Sequence, residues 1–109
     1  MSRDAVLLVM FDLPVTTREA RRGAARFRRG LIQRGYKMLQ RSIYYKLITN
    51  VSLSSYEFNQ INAMFPGAGD VRFLPIPLNQ FLRIQILGHG ENRPRDFDLD
   101  FYLSLVEFS

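Results

Sequence analysis

The sequence predicts an α+β protein, and three observations carry that expectation. A short apolar run opens the chain at residues 5–11. Two later segments repeat apolar residues at helical spacing. Runs rich in β-branched and aromatic residues lie between and after them.

Residues 4–12 read as a strand. Ala5-Val6-Leu7-Leu8-Val9-Met10-Phe11 is apolar on both faces, as in a central strand covered on both sides. Asp12 ends it, and Leu13-Pro14 stops the pairing because proline has no N–H to donate. Residues 16–35 read as a helix. Thr16-Thr17-Arg18-Glu19 has the form of a capping box, with the Thr16 hydroxyl taking one orphan amide and Glu19 reaching back to another. Ala20, Ala24, Phe27 and Leu31 make its buried stripe, and Gly35 supplies a left-handed stop. Gly23 and Gly30 each weaken the helix by about 1 kcal/mol against alanine. Close approach of another backbone is one reason for them.

Residues 36–47 favour β structure, as one strand or two joined by a bend. Ser54-Ser55-Tyr56-Glu57 is a second capping box. Phe58, Ile61 and Phe65 follow at helical spacing, and Pro66-Gly67 ends that helix. Residues 71–76 form a strand whose prolines, Pro75 and Pro77, belong at an edge or bulge. Residues 81–87 read as another, with Leu82, Ile84 and Ile86 on one face and Arg83 and Gln85 on the other. A polar loop over 88–95 leads to a final strand over 97–108.

This order is the ferredoxin-like split βαβ: a four-stranded antiparallel sheet, two helices on one face, and an extra C-terminal strand. The expected division is a ferredoxin-like domain over 1–90 and a C-terminal loop and strand over 91–109 that packs on a dimer partner. The first strand is apolar on both faces, so the open face of the sheet needs cover, most simply from a second copy or from the last strand.

The 109 residues allow one small domain, and 47% apolar with 23% charged residues is a globular composition. Cysteine is absent, which excludes disulfides, thiolate metal sites and thiol nucleophiles. The longest apolar run is far too short to cross a bilayer, and no leader pattern opens the sequence, so the expectation is a cytoplasmic protein without a membrane partner. The net charge is +5, distributed unevenly. Residues 1–50 carry eleven basic and three acidic side chains, whereas residues 51–109 carry four basic and seven acidic ones. Thirteen of the fifteen cations are arginine, whose planar fork suits phosphate.

Two groups carry candidate chemistry. Arg18, Arg22, Arg26 and Arg29 fall on one helix face opposite the apolar stripe, flanked by Arg21 and Arg28. Like charges at this spacing repel. A ribbon with Glu19 as its one acid is better explained by phosphates that neutralise it, through backbone rather than base contacts. Asp12 stands where a buried strand emerges beside that basic helix, where a carboxylate holds a divalent cation against a phosphate. One carboxylate is too few ligands for magnesium. Two copies of Asp12 across a two-fold axis, with phosphate oxygens and waters, repair the count. The plainer alternative is a turn cap or an arginine pair. His89 sits alone in a glycine-rich loop and builds no catalytic cluster. Asp96-Phe97-Asp98-Leu99-Asp100 superficially follows a calcium loop, but Phe101 stands where that loop needs glycine.

Val9-Met10-Phe11-Asp12-Leu13-Pro14, the arginine-rich segment from Ala20 to Leu31, and Gly35-Tyr36-Lys37-Met38-Leu39-Gln40-Arg41-Ser42-Ile43-Tyr44-Tyr45-Lys46-Leu47 resemble the CRISPR-associated protein two family. The form is closest to the branch found with type II systems. The resemblance is specific over the first 47 residues and loose after Asn50. It implies a ferredoxin-like protomer and a homodimer with sheets face to face, the C-terminal strand joining the partner's sheet. It further implies a metal-dependent endonuclease on single-stranded RNA or duplex DNA, with Asp12 as both catalytic residue and magnesium ligand. In spacer acquisition the implied role differs: the dimer bridges subunits of the CRISPR integrase along the protospacer duplex, and the nuclease residue is dispensable. Arginines at the helix start, here Arg18, Arg21 and Arg22, then contact the duplex backbone.

Two functions therefore stand as expectations. One is a binding scaffold for duplex DNA and integrase. The other is a magnesium-dependent endoribonuclease or endodeoxyribonuclease acting on its own, similar to interferase toxins of the same fold.

Overall fold

The computed structural model describes residues 3–88. His89, the Asp96–Asp100 run, the expected strand over 97–108 and the boundary near residue 90 lie outside the described residues. Strand β1 (Ala5–Asp12) is central, and the sheet order is β2-β3-β1-β4, antiparallel throughout. The helices α1 (Arg18–Gln33) and α2 (Ser54–Ala63) follow β1 and β3 in the chain. This is the expected α+β, ferredoxin-like arrangement.

The alternation along β1 explains its doubly apolar sequence. Ala5, Leu7, Val9 and Phe11 join Ala24, Phe27 and Leu31 of α1 and Ile61 of α2 in the larger core. The Phe11 ring meets Phe27 edge-on at 5.2 Å and stacks on Tyr44 at 5.7 Å. Val6 and Leu8 face the other way, toward Tyr45 and Phe81. The 36–47 stretch is two strands, β2 (Lys37–Gln40) and β3 (Ile43–Ile48), joined through Arg41 and Ser42. Among the described residues strand β4 (Asp70–Pro77) is an edge. Pro75 and Pro77 have the same parity, so the N–H each lacks belongs to one side of the strand, the outer side away from β1.

Three local expectations are corrected. Helix α1 is capped by Thr17, not Thr16: the Thr17 hydroxyl accepts from the Ala20 amide at 3.0 Å. That shift of one residue leaves Ala20, not Glu19, at the position from which a capping box closes. The far end is as expected. Gly35 has φ +91°, and the Tyr36 amide reaches back to the Leu31 carbonyl while that of Gly35 reaches Ile32.

Helix α2 has no side-chain cap. The chain enters it through a 3₁₀ turn, Val51–Leu53, whose cap is Asn50 accepting from the Ser52 amide. Glu57 does not turn back to Ser54. It is buried and accepts from the Tyr36 hydroxyl at 2.9 Å and from Lys46 Nζ at 3.1 Å. Two charge-assisted partners outweigh one backbone amide for a buried carboxylate.

The strand expected over 81–87 is absent. Pro77 ends β4 and opens a single helical turn, α3 (Leu78–Phe81). Phe81 is buried against the open face, stacked on Tyr45 at 5.8 Å. The alternation of Leu82, Ile84 and Ile86 finds no sheet edge among the described residues, and all three stay about half exposed. Part of the cover expected from a second copy is therefore supplied by α3. No described helix is long and apolar enough to cross a membrane.

Gly23 and Gly30 receive side chains from the end of α2 rather than another backbone. A Cβ on Gly23 would stand 3.2 Å from Pro66 Cβ, and one on Gly30 would overlap the Met64 sulfur. The segment that leaves α2 packs on α1 along that line.

Burial, then the hydrogen bond to Glu57 and its negative charge, push the Tyr36 hydroxyl far above its ordinary value near 10.0. A raised folded-state value means the folded protein keeps the proton after the unfolded chain has lost it. The contribution is therefore full below about pH 10 and declines as pH rises beyond it, by at most about 1.4 kcal/mol per pH unit. Urea midpoints taken from pH 9 to 11.5 should fall more steeply for the wild type than for Tyr36→Phe. Parallel curves would contradict this.

Candidate nucleic-acid interface

All six arginines of α1, at positions 18, 21, 22, 26, 28 and 29, are exposed. The reason is the buried stripe. Ala24, Phe27 and Leu31 turn one side of the helix inward, so the remaining positions face out. Arg18, Arg22, Arg26 and Arg29 share one strip. Arg21 is steered instead by its own hydrogen bond, donating from Nη1 to the Val15 carbonyl at 3.2 Å. Among the described residues none of the six takes an acidic partner: the ion pairs are Lys46–Glu57 and Arg72–Asp70. Among the described residues the cationic strip therefore has no acidic side chain paired with it.

Asp12 closes β1 and is exposed, with no ion pair among the described residues. Neither form of the plainer reading, turn cap or arginine pair, has a hydrogen bond to carry it there. Three segments converge on this end of the sheet. The β2–β3 turn arrives through Ser42, whose carbonyl accepts from the Phe11 amide at 3.0 Å. Ser42 has φ +65°, a conformation that a side chain disfavours. The start of β4 arrives through Asp70, the direct cross-strand partner of Asp12. The turn before it arrives through Gly69, where a Cβ would stand 2.6 Å from the Asp12 carbonyl oxygen. No hydrogen bond or ion pair joins Asp12 to the α1 arginines among the described residues.

Asp70 escaped the sequence reading because strand register decides its place. Nothing in the segment Gly69-Asp70-Val71 says that it pairs with residue 12. Its own ion pair, to Arg72 at 3.4 Å, is exposed and contributes little. Two carboxylates opposite one another repel unless a cation lies between them or water screens them. Among the described residues no group of three or more metal-ligating side chains occurs. The described residues of one protomer therefore suit a hard divalent cation in kind, through carboxylate oxygen, and fall short of it in ligand number.

A groove of about 330 Å³ adjoins this end, between α2 and β4. Phe58 and Phe73 meet edge-on along it at 5.7 Å, and Phe65 stands at its rim.

Comparison with known proteins gives the family. The model of the CRISPR associated protein Cas2 family matches residues 5–84. A protein of Parvibaculum lavamentivorans is 36% identical over 88 residues, covering 81% of this chain and 87% of its own. One from Lacticaseibacillus rhamnosus is 37% identical over 75 residues, covering 69% and 74%. One from Acidovorax ebreus is 35% identical over 81 residues, covering 74% and 79%. Each of the three carries the name CRISPR-associated endoribonuclease Cas2. With a family match across the whole described sheet and both long helices, this chain belongs to the CRISPR-associated protein Cas2 family.

Proposed function

We propose that the protein is a CRISPR adaptation protein: a homodimer that binds protospacer duplex DNA along α1 and bridges integrase subunits during spacer acquisition. The observation that carries the reading is the strip of exposed arginines that take no acidic partner among the described residues. Its spacing follows a helix surface, which suits phosphates along a backbone rather than base edges. The free amides at the start of α1 add a positive end to the same strip.

The dimer rests on the open sheet face. Leu74, Leu82, Ile84 and Ile86 remain 42–47% exposed beside the Val6–Tyr45–Phe81 cluster. A patch of this kind suits a second copy placed sheet to sheet.

The second reading is a magnesium-dependent endonuclease, favoured by the relatives' names and by the exposed carboxylate at the end of β1. Asp12 would hold the metal, with Asp70 beside it and the partner copy, waters and phosphate completing the set. A bound magnesium ion supplies charge stabilisation to a phosphodiester and lowers the pKa of a water. The protein's own part is to present the exposed Asp12 carboxylate at the end of β1, one short loop before the arginine helix α1.

One experiment separates the two. Labelled duplex DNA and single-stranded RNA are titrated with wild type and Asp12→Ala, with and without magnesium, across a salt series. The scaffold reading expects duplex binding that weakens steeply with salt and is unchanged by Asp12→Ala. Magnesium-dependent cleavage that disappears in Asp12→Ala would instead make the protein a nuclease.

A further inference from the structure

The turn between β2 and β3 holds a side chain that the fold does not use. Gln40 pairs with Ile43, so Arg41 and Ser42 make the turn, with a bulge between Met38 and Gln40 before it. Ser42 has φ +65°, the one positive value at a non-glycine position among the described residues. Glycine or asparagine fills such a hairpin position at lower cost, because a Cβ crowds the left-handed backbone. The Ser42 carbonyl accepts from the Phe11 amide at 3.0 Å, and a glycine would supply that carbonyl equally well. The Ser42 hydroxyl makes no hydrogen bond among the described residues. Backbone strain kept at a residue whose side chain does nothing for the fold is characteristic of a ligand contact.

Strand pairing places this residue at the exit of β1. The register Met10↔Ile43 continues through the hydrogen bond from Phe11, so Ser42 is the direct cross-strand neighbour of Phe11. From strand spacings its Cα lies about 6–7 Å from that of Asp12. Arg41, the other turn residue, is exposed and takes no acidic partner among the described residues, Asp12 included. β1 runs toward this end of the sheet, and α1 starts from it after residues 13–17, with Arg21 tied to the Val15 carbonyl of that connection. A hydroxyl that can donate and a guanidinium that can only donate suit an acceptor-rich anion. At the end of the sheet from which the arginine helix starts, that anion is a phosphate of a nucleic-acid backbone.

We propose that the β2–β3 turn is a phosphate seat, in which the Ser42 hydroxyl and the Arg41 guanidinium hold one backbone phosphate of a nucleic acid as it passes the exit of β1. The proposal rests on the reading of α1 as a phosphate-binding face and adds a contact from a different element. The seat reads no bases, since every step of the backbone presents the same phosphate. Serine in place of glycine at 42 is then a loss of stability kept for the sake of the hydroxyl.

The test uses the full chain and a labelled blunt duplex DNA, titrated without magnesium at four or five salt concentrations, beside a urea melt of each protein. Ser42→Gly keeps the turn and removes the hydroxyl. Its urea midpoint should rise above that of the wild type while its duplex affinity falls about 3- to 10-fold with the salt slope unchanged. Ser42→Ala, which keeps the strain, should lose the same affinity without the gain in stability. Arg41→Gln should lower the salt slope by about 0.9. A purely structural role for Ser42 gives no fall in affinity as the fold becomes more stable. Ser42→Gly that binds as tightly as the wild type, Ser42→Gly with a lowered urea midpoint, or Arg41→Gln with an unchanged slope each overturns the seat. If these variants bind normally while joint replacement of Arg22, Arg26 and Arg29 loses affinity, the seat alone is overturned. If the joint replacement binds as the wild type does, the α1 reading falls instead, and a wild type that binds no duplex overturns both.

Discussion

Replacing Arg22, Arg26 and Arg29 together with glutamine should lower affinity for duplex DNA by about 10²- to 10³-fold at 0.1 M salt. The same triple variant should flatten the plot of log K against log salt by about 3, since each phosphate contact contributes about 0.9 to that slope. Glutamine keeps the helix propensity of arginine within a few tenths of a kcal/mol. The three side chains are exposed and take no acidic partner among the described residues. Stability should therefore stay level or rise slightly as like-charge repulsion at these spacings is relieved. Binding isotherms at four or five salt concentrations, with a urea melt of the same preparation, check both statements. An unchanged slope would place the phosphate contacts elsewhere on the molecule.

The second large effect concerns Gly69. Its φ is +87°, and a Cβ there would stand 2.6 Å from the Asp12 carbonyl oxygen, 2.9 Å from Pro14 Cδ and 3.0 Å from Leu13 Cα. Backbone atoms cannot swing aside as a side-chain tip does. Gly69→Ala should cost about 2–5 kcal/mol, combining backbone strain with forced displacement of the β1 end. Gly67 is the natural control. It has φ +92° but open space around its Cβ position, so Gly67→Ala should carry the backbone strain alone, about 1 kcal/mol or a little more. Urea denaturation of the two variants separates the contributions. Equal losses would mean that the contact with Asp12 and Leu13 is not what requires glycine at 69. The chain segment displaced by Gly69→Ala is the one that carries Asp12, so nucleic-acid assays on that variant report on the same end of the sheet.

Much of the fold was legible because its signals are local. The doubly apolar run at 5–11, the stripe Ala24-Phe27-Leu31 (with Ala20 at its start only part-buried) and the stop at Gly35 each depend on residues within a few turns of one another, and each appears where expected. The caps were less legible. Thr16 and Thr17 are equally good acceptors, and only the approach of the chain from β1 selects the second. At Ser54 the local motif lost to a distant one, because Tyr36 and Lys46 offered Glu57 stronger partners than a helix amide. The 81–87 stretch failed for a related reason. Alternation shows which residues share a face, but a strand also needs an edge to pair with, and Phe81 gained more by packing on Tyr45.

The sequence by itself determined the α+β class, the order of the elements through the first edge strand after α2, the cationic face of α1, and Asp12 at the exit of the central strand. These are properties of periodicity and of neighbouring residues, and physical periods of 2 and 3.6 display them directly. Tertiary structure alone decided what stands beside that strand exit. Register placed Asp70 opposite Asp12, the turn at Gly69 closed on the Asp12 carbonyl, and Gly23 and Gly30 admitted Pro66 and Met64, so that the segment leaving α2 packs on the arginine helix. A strand pairing or a helix crossing joins residues tens of positions apart. The free energy that selects it comes from the whole packed core, and no single segment encodes it.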